Sequence, residues 1–104
     1  MPKVYNKLVR DRIPELIESS GKKAIIKKAD DVEYSQHLRN KLLEEVKEFL
    51  DSGNPEELAD ILEVVATLGS LYGISFNELL KMANEKRRTR GGFEKRIVLL
   101  KVGD

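Results

Sequence analysis

Glu44-Glu45-Val46-Lys47-Glu48, then the turn Asp51-Ser52-Gly53-Asn54-Pro55, then Glu57-Leu58-Ala59-Asp60: this stretch decides how the chain is read. In each acidic group two carboxylates fall three residues apart, which puts them on one side of a helix. If the two segments form an antiparallel helical hairpin, Glu48 and Asp60 each stand roughly 5 to 8 Å from the turn at about 1.5 Å per residue, so the pairs reach similar depth. Four converging carboxylates call for a cation. Hard oxygen donors in that number suit Mg²⁺, or alternatively Mn²⁺, rather than zinc, which favours His and Cys.

Outward from the turn, apolar spacing predicts a long helix over about Glu33 to Leu50, with Leu38, Leu42, Val46 and Phe49 on one stripe and Leu43 and Leu50 beside it. On that helix Glu45 borders the stripe, while Glu44 points furthest into solvent. A second helix runs over about Pro55 to Tyr72, with Asn54 as its cap and Gly73 to close it. Leu58, Ile61, Leu62, Val65 and Leu68 face one way, with Gly69 placed for close approach of another helix. Val64 and Leu71 continue the side that carries Glu57 and Asp60. A helix apolar on two sides in so short a chain has too few partners of its own, which predicts contacts with other subunits. The next helix, about Phe76 to Arg88, opens with a Ser75/Glu78 capping box and ends in the basic run Lys86-Arg87-Arg88-Thr89-Arg90.

The flanks are less regular. Asp11 and Pro14 start a short helix over about Arg12 to Ser20, closed by Gly21. Residues 22–28 and 96–102 are short and rich in β-branched side chains, and they predict a minor β hairpin. The fold class is therefore mainly α, a single domain over residues 1–104, completed by oligomerisation.

Composition limits the function. The 104 residues carry a net charge of +1, with 36% charged and 6% aromatic side chains, so bulk electrostatics predicts no nucleic-acid polymer as partner. Cysteine is absent, which excludes thiol chemistry and a disulfide framework. No apolar run resembles a signal peptide or reaches membrane-spanning length, so the reading is a soluble, cytoplasmic protein without a membrane partner.

Each charged cluster has two readings. The acids can be solvated surface, with Lys41 and Lys47 pairing to Glu45 and Glu44, and Glu57 reaching back as a capping residue. Asp60 favours a ligand role, because Asp is a poor helix former and this one lies past the first turn on a side that carries Val64 and Leu71. The basic run can serve the helix dipole, or can grip phosphate together with Gly91-Gly92. The arm Tyr5-Asn6-Lys7-Leu8-Val9-Arg10-Asp11 offers base or phosphate contacts, or is simply structural. His37 reads as a surface histidine about two turns from Glu45.

Glu44-Glu45-x-x-Glu48 with Glu57-x-x-Asp60 resembles the EExxE…ExxD signature of the MazG-like all-α nucleoside triphosphate pyrophosphohydrolases, a superfamily that includes phosphoribosyl-ATP pyrophosphohydrolase and the all-α dUTPases. The opening residues from Tyr5 to Glu15 resemble a phosphoribosyl-ATP pyrophosphohydrolase-like subgroup. The resemblance implies a MazG-like helical bundle, Mg²⁺ held by Glu45, Glu48, Glu57 and Asp60, and Glu44 orienting water or holding a second metal. It implies phosphate contacts from Asn84 and Lys86, helped by Arg90 or Arg96; from the residue types of the arm, Lys7 and Arg10 are further candidate substrate contacts. Glu44 and Glu45 are the candidate catalytic bases.

The expected activity is cleavage of the α–β phosphoanhydride of a nucleotide, giving a monophosphate and pyrophosphate, in a homodimer or a dimer of dimers. The alternatives are the phosphoribosyl-ATP reaction of histidine biosynthesis and a non-catalytic helical interaction module. The interval between the motif halves, residues 49–56, is shorter than in many such proteins, and the Gly91-Gly92-Phe93 ending departs from a plain helical one.

Overall fold

A computed structural model describes residues 3–104. Its described residues form α1 (Ile13–Ser19), α2 (Asp31–Ser52), α3 (Glu56–Leu71) and α4 (Phe76–Arg90), so the chain is all-helical. α2 and α3 pack against each other as an antiparallel hairpin, α4 packs on α3, and α1 packs on no other helix.

Local chemistry sets the boundaries. α2 begins earlier than the apolar pattern alone predicts because Asp30 accepts from the Glu33 backbone N–H while Glu33 reaches back to the Asp30 N–H, a full capping box. Gly53, in the left-handed region at φ 66°, ends α2 and turns the chain. The N-cap position of α3 is Pro55, with no side-chain bond, and Asn54 stands one residue ahead of it, its Oδ1 accepting from the Glu56 N–H at 3.0 Å. Ser75 caps α4 by accepting from the Glu78 N–H. Asp11 does not cap α1, whose N-cap position is Arg12 with no side-chain bond.

The close approach anticipated at Gly69 is present: a Cβ there would stand 2.7 Å from Leu79 Cδ1 and 3.1 Å from the Ile74 carbonyl oxygen, so a larger residue would have to displace Leu79. The packed side of α3 differs from expectation. Val64 is buried and Ile61 and Leu68 half-buried against α2, whereas Leu58 and Leu62 stay 50% exposed.

The expected hairpin between 22–28 and 96–102 does not form; both segments are irregular, with no strand among the described residues. Ile25, Ile26 and the aliphatic run from Ile97 to Leu100 lie exposed. A lone two-stranded ribbon is marginal in water, and here no third strand or helix covers it.

Leu38 and Val64 are the only buried apolar side chains among the described residues, joined in burial by Glu45. The chain exposes 9732 Å², whereas a compact monomer of its 11.9 kDa exposes about 6000 Å². Its radius of gyration of 18.4 Å likewise exceeds the about 13 Å of a compact domain of this length. No single helix among the described residues is long and apolar enough to cross a membrane, and α3 with α4 reach that standard only jointly, across a 103° bend.

Candidate metal centre

At about 100° per residue, Glu45 and Glu57 project near the α2–α3 seam, with Glu48 and Asp60 to one side of it. Leu43, Leu50, Leu58 and Leu62 project to the other. The hairpin therefore carries acids on one face and exposed leucines on the opposite one.

On the acidic face, Glu44, Glu45 and Glu48 bring carboxylate oxygens within 4.8 Å of one another, and Glu45, Glu57 and Asp60 do the same. Glu45 belongs to both groups. It is also the most buried acid, at 6% exposure, and its Oε2 has no hydrogen-bond partner. Its other oxygen, Oε1, lies 3.3 Å from Lys41 Nζ. A buried carboxylate oxygen without a partner is costly. Neighbouring oxygens in an octahedral Mg²⁺ shell at about 2.0–2.1 Å stand about 2.9 Å apart, so either triad would have to close in around an ion.

The arm before α1 closes on this face. Lys7 Nζ lies 3.1 Å from Glu44 Oε1, and Arg10 Nη2 donates to Asp60 Oδ1 at 2.7 Å. Lys41 also reaches Glu44 Oε2, at 3.3 Å. Glu44 is thus not the most solvated acid of its helix; it is half-buried between two lysines. Burial works to raise its carboxyl, but Lys7 and Lys41 outweigh that and hold it below the usual carboxylate value. Burial likewise opposes the Lys41 charge, and Glu45 and Glu44 overcome it, raising Lys41 above the ordinary lysine value.

Glu57 has no such cation. Burial first, then the charge of Glu48, the contact with the Glu45 carboxyl and the charges of Asp60 and Glu45 push it up to about 7. An acid so placed is about half protonated at neutral pH.

Of the expected substrate contacts, Lys7 and Arg10 reach the acids, and the others do not within one chain. Asn84, Lys86 and Arg90 are exposed on the far half of α4, and Arg96 lies in the segment beyond it. α4 leaves the end of α3 opposite the acids at 103°, so at about 1.5 Å per residue Lys86 stands on the order of 20 Å from Asp60. Arg87, in the same run, pairs with Glu94.

A pocket of about 180 Å³ lies between the arm and α2, and Glu44 forms part of its wall. His37 also lines it, so the histidine that reads as plain surface in the sequence sits beside the acidic face. The only signal for this was its placement two turns before Glu44, which alone does not say what packs above it. A larger depression of about 380 Å³ runs along Asp31, Val32, Ser35, Gln36 and Arg39. Every one of those residues belongs to α2, so it is one helix's open flank and not a site.

No family model matches the chain, and no solved structure matches it. A protein of Mycolicibacterium smegmatis, described as uncharacterized, is 56% identical to it over 41 residues, which are 39% of this chain. The match spans 42% of that relative's length.

Proposed function

We propose that the chain is a Mg²⁺-dependent nucleotide pyrophosphohydrolase that cleaves between the α- and β-phosphates, with a homodimer as its working form. The observation that carries this reading is the Glu45 Oε2 atom, buried and unpaired where two carboxylate triads share one residue. Hard oxygen donors around such an atom fit Mg²⁺, with Mn²⁺ as the alternative. Glu45, Glu48, Glu57 and Asp60 would hold it, which is also the ligand set implied by the MazG-like signature.

Bound there, the ion neutralises polyphosphate oxygens and lowers the pKa of water in its shell. The chain's own groups do the rest. Glu44, kept ionised by Lys7 and Lys41, orients water as an acceptor. Arg10 and Lys7 stand at the edge of the acids with free N–H donors for phosphate oxygens, once the carboxylates turn to the ion. The phosphoribosyl-ATP reaction uses the same chemistry and stays as the alternative substrate.

Self-association is supported by the missing core. The chain exposes about 3700 Å² more than a compact monomer of its mass, surface that a second copy can cover. In a dimer the basic end of α4 can come from the other copy. A cysteine-free chain with no membrane-crossing helix among its described residues fits a cytoplasmic setting.

The deciding experiment is pyrophosphate release from a panel of nucleoside triphosphates and phosphoribosyl-ATP, with Mg²⁺ and with chelator. Release from at least one substrate, only with the ion, is expected. No metal-dependent release across the panel would leave the helical interaction module as the better reading.

A further inference from the structure

We infer that the pocket between the arm and α2 is a nucleobase subsite, seated so that the base enters beside Glu44 while the phosphates extend over the acidic face. The inference rests on the pyrophosphohydrolase reading and adds where the non-phosphate end of the substrate lies. Size is the first argument. At about 180 Å³ the pocket is smaller than the about 300–1000 Å³ of sites that take a whole drug-sized ligand, so it admits a ring and leaves sugar and phosphates outside.

The lining is the second argument. Asn6 and Asn40 bring two side-chain amides, each with a donor and an acceptor, which is the chemistry of a base edge. His37 adds an aromatic ring that can stack or hydrogen-bond, and Leu8 is half-buried and supplies apolar contact. Serine, cysteine and carboxylates other than Glu44 are absent from this wall, so it is suited to recognition and not to nucleophilic chemistry.

Position is the third argument. Lys7, Lys41 and Glu44 line the pocket and also join it to the acids, through the Lys7–Glu44 pair at 3.1 Å and the Lys41–Glu45 pair at 3.3 Å. Glu44 in turn shares a triad with Glu45 and Glu48. A ligand with a ring at one end and a polyphosphate at the other spans these two adjoining features. The backbone is shaped to form the pocket: Asn6 takes a left-handed φ of 47°, which Asn tolerates better than most side chains, and it bends the arm where it meets α2.

The test uses calorimetry with Mg²⁺ on the full chain, Asn40→Ala and His37→Ala. The probes are the α,β-methylene analogues of ATP, GTP, CTP and UTP, which resist cleavage, and inorganic tripolyphosphate, which has no base. Asn40 is exposed on a helix, so alanine there favours the fold.

Wild type should bind at least one analogue more tightly than tripolyphosphate. Each variant should lose about three- to tenfold in affinity for that analogue, the worth of a hydrogen bond, and keep its affinity for tripolyphosphate. Analogues that bind no better than tripolyphosphate, or variants that leave analogue binding unchanged, overturn the base subsite while the metal-phosphate reading stands. Wild type that binds neither probe overturns both.

Discussion

Arg10 donates to Asp60 at 2.7 Å, placing a cation from the N-terminal arm on an acid that its own helix leaves unpaired. The residues three and four away from Asp60 are Glu56, Glu57, Glu63 and Val64, and its ion-pair partner among the described residues, Arg10, arrives from outside the hairpin. If Asp60 also ligates metal, Arg10 and the ion compete for one carboxylate.

Arg10→Ala is therefore expected to tighten Mg²⁺ binding in the absence of nucleotide. Both side chains are more than a third exposed, so solvent screening limits the pair to under about 1 kcal/mol of stability in chelator. Calorimetric titration of Mg²⁺ into wild type and variant checks this; weaker metal binding by the variant would make Arg10 a support of the site and not a competitor.

Glu45→Gln and Asp60→Asn keep shape and remove charge at the shared corner and at the rim of the acidic face. Both should remain helical in chelator, and both should lose the rise in melting temperature that Mg²⁺ gives wild type. That rise follows mass action, about 2.7 kcal/mol at a hundredfold excess over the dissociation constant. Pyrophosphate release should fall beyond the about 10–100-fold typical of residues that only support a metal ligand. Variants that respond to Mg²⁺ as wild type does would remove both residues from the ligand set.

Glu57 predicts a dependence on pH whose sign reverses with metal. Its folded-state pKa of about 7 lies above the ordinary value of 4.5, so the folded chain holds this proton more tightly than the unfolded one. The stability it contributes is full below about pH 4.5 and is lost as pH rises through about 7. In chelator, melting temperature should decline over that window. In saturating Mg²⁺ the ion replaces the proton, and the stabilisation should grow over the same window. Glu57→Gln should flatten the chelator profile; an unchanged profile would assign the effect to another group.

Leu58 and Leu62, each 50% exposed on the face opposite the acids, are the expected contacts between copies. Sedimentation at micromolar concentration should give a dimer or larger for wild type, and Leu58→Glu with Leu62→Glu should shift it to monomer and lower its melting temperature. A compact wild-type monomer would refute the self-association reading.

The helices and the acidic hairpin were legible because their signals are local. Apolar residues at helical spacing, Gly53 after α2 and Ser75 before α4 each act within a turn or two of chain. The packed side of α3 was harder, since two apolar stripes compete and the sequence does not say which one meets α2. The expected strands failed for a related reason: β-branched composition describes what a residue tolerates, while a strand needs a neighbour, and 22–28 has none. Least legible was the arm. Lys7 meets Glu44 across 37 residues and Arg10 meets Asp60 across 50, and such pairs leave no spacing pattern to read.

The scarcity of buried side chains also bears on how the chain becomes folded. Helix packing joins only neighbours in sequence, α2 with α3 and α3 with α4, so little loop-closure entropy opposes the first contacts and the hairpin can collapse quickly. With Leu38 and Val64 the only buried apolar side chains among the described residues, that collapse gains little before another surface arrives. Refolding should then divide into a fast phase that ignores protein concentration and a slower one that scales with it, the second being the encounter of copies.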